Sequence, residues 1–304
     1  MDYQRVLDEI ADQIRPEFGK GQVASYIPAL KRVSPKKFGM AVATVDDQTF
    51  TVGDAEELFS IQSISKVFTL SMALNALGAD LWRRVGREPS GDPFNSLVQL
   101  EHEKGVPRNP FINAGALVVT DCLVSTAVNA KRQIIDFVRK RSGNPDLRYD
   151  LEVARSEKAH GNLNAAMAYF LKSHDNLAAD VEAVLDVYFH QCALAMSCLD
   201  LARAFLYLAN EGCCPASGIK VHQARRAKRI NALMMTSGLY DSVGNFAFRV
   251  GMPAKSGVGG GIAGVIPRKL SVVVWSPELD PSGNSHVGTK ALELFTTKTR
   301  LSVF

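Results

Sequence analysis

An α+β fold is predicted, with a five-stranded antiparallel sheet drawn from both ends of the chain and an all-helical lobe built from its middle. Three observations lead there. Strand-like patterns cluster near the two termini, the connections between sequence-neighbouring strands are short, and the long stretch between them carries helical periodicity. The elements follow in order. Tyr3 to Ile14 is amphipathic and opens the chain with a helix. Phe38 to Thr44 and Gln48 to Val52 flank an Asp46-Asp47 turn and form a hairpin. Helical segments then fill the middle: Val67 to Leu77, stopped by Gly78; Asn129 to Arg141; Ala178 to Ala195. Another begins at Ser197-Cys-Leu-Asp200 in the manner of a capping box and is stopped by Gly212. Asn245 to Val250, Gly261 to Ile266 and Leu270 to Trp275 supply three more strands, the last two joined by Pro267-Arg268-Lys269. A helix over roughly Val287 to Thr297 closes the chain.

This order makes one unit of two interleaved lobes, a sheet lobe from about 1-62 and 241-304 and a helical lobe from about 63-240. No repeat and no Gly/Ser/Pro linker interrupts it, so the lobes should share an interface. Ligand sites favour the cleft such a junction makes.

Composition narrows the function classes. With 304 residues, 46% hydrophobic and 22% charged, the chain can bury a large core without disulfide or metal staples, which excludes a minimal binding module. Five cysteines, with Cys213 and Cys214 adjacent and no C-x-x-C pair, support neither a zinc knuckle nor a secreted disulfide framework, and a reducing cytoplasm is expected. The N-terminal segment is charged throughout and lacks the apolar run of a signal peptide. No stretch approaches the ~20 apolar residues of a membrane span. A net charge of +4 does not demand nucleic acid, and the basic run Arg225-Arg226-Ala227-Lys228-Arg229 reads as a solvated helix face. The histidines (His102, His160, His174, His190, His222, His286) never pair at ligand spacing, so no metal is expected. Gly259 to Gly264 satisfies G-x-G-x-x-G, but strand, turn and strand follow where a dinucleotide site needs a helix. No cofactor is expected.

Ser63 and Lys66 carry the chemistry. They open a segment in which Lys66 is the lone charge and apolar residues fall on nearly every face, so the helix should run through the interior. A lysine desolvated in a first helical turn is pushed towards the neutral amine, which is a base. Ser63, three residues earlier, shares its face at about 5–6 Å between Cβ atoms. The pair is the activated-nucleophile arrangement of acyl transfer. Taken alone, the pattern equally fits an N-cap serine with a snorkelling lysine. Ser34-Pro-Lys-Lys37 and Ser217-Gly-Ile-Lys220 match the same string in loops. Ala254-Lys255-Ser256-Gly257 adds weight because it resembles the K-T-G triad that penicillin-recognising serine enzymes place on an edge strand facing their S-x-x-K helix. Glycines at 257 and 259 to 261 should let a substrate approach the backbone there.

The chain resembles the serine-dependent glutaminases, which share the β-lactamase-like fold. The resemblance rests on Tyr26-Ile-Pro-Ala-Leu30, Gly53-Asp54, Gln62-Ser63-Ile-Ser-Lys66, Glu88-Pro-Ser-Gly91, Asn109-Pro-Phe-Ile-Asn113-Ala-Gly115 and Ser156-Glu157. It continues through Asn164, Asp186-Val-Tyr188-Phe, Ser237-Gly-Leu-Tyr240-Asp241, Pro253-Ala-Lys-Ser-Gly-Val258 and Trp275-Ser-Pro. It implies cofactor-free hydrolysis of L-glutamine to L-glutamate and ammonia by a homodimer or homotetramer. It makes Ser63 the nucleophile and Lys66 its base, matches Tyr26 and Tyr240 to catalytic tyrosines, and places substrate contacts at Asn113, Glu157, Asn164, Tyr188, Tyr240 and the backbone of Val258. Glutamine fits these types: its α-ammonium wants the Glu157 carboxylate, and its α-carboxylate wants neutral Asn and Tyr donors. The alternative is another serine amidase or β-lactam-recognising hydrolase of the same fold, against which stand the missing signal peptide and the lack of a clear S-D-N element.

Overall fold

Alternation at period two divides the side chains of the sheet between two cores. In the computed structural model, which describes residues 1–91 and 95–304, strands β1 (Gly39–Thr44) and β2 (Thr49–Gly53) form the expected N-terminal hairpin. Strands β3 (Ala254–Gly257), β4 (Gly261–Ile266) and β5 (Leu270–Trp275) come from the C-terminal end. The order is β2-β1-β5-β4-β3, antiparallel throughout. The pairing of β1 with β5, Met40 opposite Val274 and Val42 opposite Val272, joins the two ends of the chain in the middle of the sheet.

The fifth strand is not where the sequence put it. Asn245 to Val250 is helical, and the Lys255 segment is itself the edge strand β3. The alternation Phe246, Phe248, Val250 suggested one strand face. Instead Phe246 and Val250 are buried one helical turn apart, and Phe248 points to solvent with 90% of its surface exposed.

The longer helices are α1 (Tyr3–Gln13), α2 (Ser65–Leu77), α3 (Asn113–Thr126), α4 (Ala130–Ser142), α5 (Leu151–His160) and α6 (Asn162–Ser173). There follow α7 (Val181–Cys192), α8 (Cys198–Ala209), α9 (Ala224–Ser237), α10 (Val243–Arg249) and α11 (His286–Thr299). Their ends follow the sequence signals. Ser197 and Asp200 exchange side-chain-to-backbone bonds in the capping box of α8. Gly78 ends α2 at φ +59°, a conformation that strains other residues.

Met40, Val42, Ile262, Val272 and Val274 face outward onto Val6, Leu7 and Ile10 of α1 and Val287, Leu292 and Phe295 of α11. Ala41, Ala43, Ala263, Val265, Val273 and Trp275 face inward onto the helical region. The small alanines leave room for α8 to lie directly on β1, β4 and β5. That inner core runs without a break from the sheet through α8 to α2, α3 and α7, so the sheet and the helices hold one another in register. Among the described residues no helix is long and apolar enough to cross a membrane, and the five cysteines are free.

Candidate active site

A two-residue strand, Phe59–Ser60, delivers the chain to Ser63. It pairs with Leu194–Met196, Ile61 N–H donates to Leu194 O at 3.0 Å, and the Ser60 hydroxyl donates to Cys192 O at 2.8 Å. The backbone then passes through Gln62 at φ +50° into a 3₁₀ turn, Gln62–Ile64, that leads into α2. Ser63 therefore sits in a tight turn two residues before the first residue of the α-helix, whereas the sequence placed it in the helix itself. A left-handed glutamine costs of order 1–3 kcal/mol, and the contacts around Ser60 and Gln62 hold it in place. Ser63 keeps only 8% of its surface exposed.

Lys66 lies in the first turn of α2 and is 1% exposed. Its ammonium donates to Asn113 Oδ1 at 2.7 Å and to Phe111 O at 3.1 Å, both neutral acceptors. Burial pulls its pKa down to about 8, although Cys192 and Glu157 oppose the shift. Phe111 and Asn113 are presented by a turn that Asn109 shapes: its Oδ1 accepts from Phe111 N and Ile112 N, and its amide donates to Glu88 O. Asn113 in turn donates to Asn164 Oδ1 at 3.0 Å, tying α3 to α6.

A cavity of about 340 Å³ opens over these groups. Of the residues expected to touch substrate, Tyr26, Ser63, Asn113, Glu157, Asn164, Tyr188 and Val258 all line it. They come from seven different segments of the chain. Glu157, on α5, is buried. Desolvation raises its carboxyl to about 7, held there against a Gln62 amide that donates to it and the charge of Lys66. Tyr188, on α7, is 2% exposed, and burial pushes its phenol well up. Tyr26 forms part of the outer wall, with 57% of its surface exposed.

Tyr240 is placed differently. It is buried at φ +49° in a short 3₁₀ turn after α9, beside the cavity rather than on its lining. Burial raises its hydroxyl to about 12, and hydrogen bonding with Ser63 and Ser256 moderates the rise. Lys255 stands 4.7 Å from the centre of its ring. Tyr240 thus reaches the nucleophile from the β3 side.

The glycines near β3 serve a packing purpose that the sequence did not suggest. A Cβ on Gly257 would stand 2.5 Å from Ile61 O, and one on Gly259 would stand 2.3 Å from Ser60 O. They let the end of β3 press against the turn that carries Ser63. Val258 comes next to that turn as a result.

The cavity also takes in Gln62, Asn95, His160, Gly161, Leu163 and Cys192, which the sequence reading did not assign to it. Periodicity could have found some of them. His160 follows Glu157 by three residues and Cys192 follows Tyr188 by four, so each shares a helix face with a predicted site residue. Asn95 offers no such signal.

A family model described as Glutaminase matches residues 21–304. A glutaminase of Pseudomonas syringae pv. tomato is 55% identical over 98% of this chain and 99% of its own length. One of Christiangramia forsetii is 54% identical over the whole of both chains. Among solved structures, a probable glutaminase named ybaS superposes with a TM-score of 0.92 at 35% identity, covering 99% of this chain and 98% of its own. A probable glutaminase from Bacillus subtilis complexed with 6-diazo-5-oxo-L-norleucine superposes with a TM-score of 0.88 at 33% identity, covering 97% and 94%.

Proposed function

The chain belongs to the glutaminase family, amidohydrolases acting on the amide C–N bond of glutamine, and from that premise we propose that Ser63 and Lys66 perform the reaction through an acyl-enzyme. One observation carries this reading. Lys66 is a buried amine held only by neutral acceptors three residues from a buried serine, so a pKa near 8 leaves it able to take the serine proton.

The Ser63 hydroxyl attacks the side-chain carbonyl carbon of glutamine while Lys66 accepts its proton. The resulting oxyanion lies between the backbone N–H groups of Ser63 and Val258, which the close approach of β3 brings together. Collapse expels ammonia, protonated by Lys66 directly or through Tyr240, whose hydroxyl contacts Ser63. Tyr26, on the rim, is the other tyrosine available to this transfer. Water then cleaves the γ-glutamyl ester and returns Ser63 to its starting state.

Glu157 binds the α-ammonium. Its carboxyl is costly to ionise in the empty cavity, and an arriving cation repays that cost, so the site favours a zwitterion over a neutral amide. Asn113, Asn164 and Tyr188 supply neutral donors for the α-carboxylate. No metal or cofactor takes part in this scheme.

The same reading extends to the whole protein. It is a β-lactamase-like catalytic unit whose sheet lobe (about 1-62 and 241-304) and helical lobe (about 63-240) meet at the cavity, working as a homodimer or homotetramer in the cytoplasm. The test is ammonia release from glutamine by purified protein, wild type against Ser63→Ala. The variant should lose about three orders of magnitude or more in kcat. Full activity without the Ser63 hydroxyl would sink the scheme.

A further inference from the structure

The basic run at the start of α9 does not form a purely solvated face. Arg225, Arg226 and Arg229, together with Arg87, line a second cavity of about 530 Å³, larger than the catalytic one. Its apolar wall comes from Leu74 at the end of α2, Trp82 and Leu233. Arg87 lies over the Trp82 ring, 5.7 Å from its centre, and Arg226 donates to Asn75 Oδ1 at 2.8 Å.

The charge of this cavity is unbalanced. Among the described residues no acidic side chain lines it, and none of its four arginines has a carboxylate within ion-pair distance. The neighbouring arginines do: Arg83 has Asp80 at 3.6 Å, and Arg84 has the fully buried Asp121 at 2.6 Å. The excess positive field is felt nearby. Buried His222 is held down to about 4, first by desolvation and then by Arg226 and Arg141. At the same rim the first turn of α9 has no side-chain cap.

Cations over an apolar wall with no acid select a ligand by elimination. A free amino acid would find no partner for its ammonium. A small inorganic anion would leave the Leu74, Trp82 and Leu233 surface uncovered. An anionic head on an apolar or aromatic body satisfies both halves.

Both walls lead to the catalytic groups. α2 carries Lys66 at its other end and follows directly on the turn, ending at Ile64, that holds Ser63. α9 ends at Ser237, three residues before Tyr240, and Thr236 lines both the arginine cavity and a small cavity beside Tyr240. We propose that the arginine cavity binds a small organic anion with an apolar or aromatic body, and that the bound anion alters turnover through α2 and α9.

The probe is 1-anilinonaphthalene-8-sulfonate, an aromatic sulfonate, titrated into the full-length protein by fluorescence without glutamine. Its reading is therefore independent of the Ser63 scheme. Saturable binding of one dye per chain is expected. It should weaken with added salt and fall by about tenfold or more in Arg225→Gln/Arg229→Gln, whose basal glutamine hydrolysis should be unchanged. Saturating dye should change kcat or KM of the wild type and leave the double variant unaffected. Equal affinity in wild type and variant, or equal binding of uncharged N-phenyl-1-naphthylamine, overturns the anion site. So does exclusion of dye from a wild-type oligomer whose mass falls in the variant, since a second copy then covers the cavity. Binding with kcat and KM unmoved overturns the coupling.

Discussion

Two lysines lie fully buried beside Ser63, Lys66 on the turn-and-helix segment 60-77 and Lys255 on the edge strand β3. Burial pulls both pKa values down, that of Lys66 to about 8 and that of Lys255 well below the ordinary lysine value, the charge of Lys66 adding to the effect on Lys255. Their surroundings differ. Lys66 donates to one backbone carbonyl and to Asn113, a side chain on the wall of the catalytic cavity. Lys255 donates to two backbone carbonyls, Gly238 O at 2.9 Å and Ser256 O at 2.7 Å, and does not reach that cavity. Lys66 has a titration near working pH and a partner that substrate can rearrange. Lys255 has no such partner, and it holds α9, β3 and the ring of Tyr240 in place. Two amines of equal burial are thus told apart by what they bond to.

The largest effect that separates them is on the chemical step. Lys66→Met should lower kcat/KM by about three orders of magnitude, and the rise of the rate through pH 8 should vanish. The wild-type profile should climb with pH because the attacking step needs the neutral amine, which is depleted below that pKa. Lys255→Met should leave that limb where it is, because Lys255 bonds backbone carbonyls and does not line the catalytic cavity. A shift of the limb in Lys255→Met by a full pH unit would erase the distinction drawn above.

Gly257→Ala sharpens the comparison from the strand side. The added Cβ meets Ile61 O, so β3 must retreat from the turn that carries Ser63. Steady-state kinetics should show about 10- to 100-fold lower kcat with KM changed little, since the oxyanion donors separate while the cavity walls remain. A loss confined to KM would place the damage in substrate binding instead.

Glu157→Gln isolates a carboxylate buried as deeply as the lysines. It should raise KM by about 10- to 100-fold through the lost ammonium partner. It should also stabilise the empty protein. The Glu157 pKa rises from 4.5 to about 7 on folding, so the folded state holds the proton more tightly and its stability falls as pH climbs between those values. The variant is freed of that penalty. Denaturant unfolding should find it more stable by up to about 3 kcal/mol above pH 7 and unchanged at pH 4.

The smallest expected effect is the stability of Lys255→Met. Ser256 O loses the Lys255 donor while Gly238 O keeps the Ser256 N–H at 3.2 Å, and the loss costs about 1–3 kcal/mol, which equilibrium unfolding at pH 7 will read.

Much of this architecture is legible in the sequence. The hairpin around Asp46-Asp47, β4, β5, the flanking helices and the capping box at Ser197 all follow from local patterns. The segment around Phe246 does not, because the six residues Asn245 to Val250, with apolar side chains at 246, 248 and 250, fit both periods. Only packing, which buries Phe246 and Val250 and leaves Phe248 in water, chooses between them. The basic run at 225-229, exposed at Arg225, Lys228 and Arg229 as expected, shows a related limit. Charge content shows that the helix face is polar, but whether the end of α2 and Trp82 wall it into a cavity depends on partners far away in the chain.

By itself the sequence determined the residue types and their order: a serine and a lysine at helical spacing, a lysine-bearing segment late in the chain, and the acids, amides and tyrosines that suit a zwitterion. These are local properties, written in spacing and side-chain chemistry. The tertiary structure alone decided that Tyr26, Ser63, Asn113, Glu157, Asn164, Tyr188 and Val258 share one cavity, that Tyr240 approaches Ser63 from beside it, and that Lys66 and Lys255 have different surroundings. Those outcomes depend on which distant segments exclude water together, and the energy of desolvating an amine or a carboxyl belongs to the whole packed interior rather than to the residue that carries it.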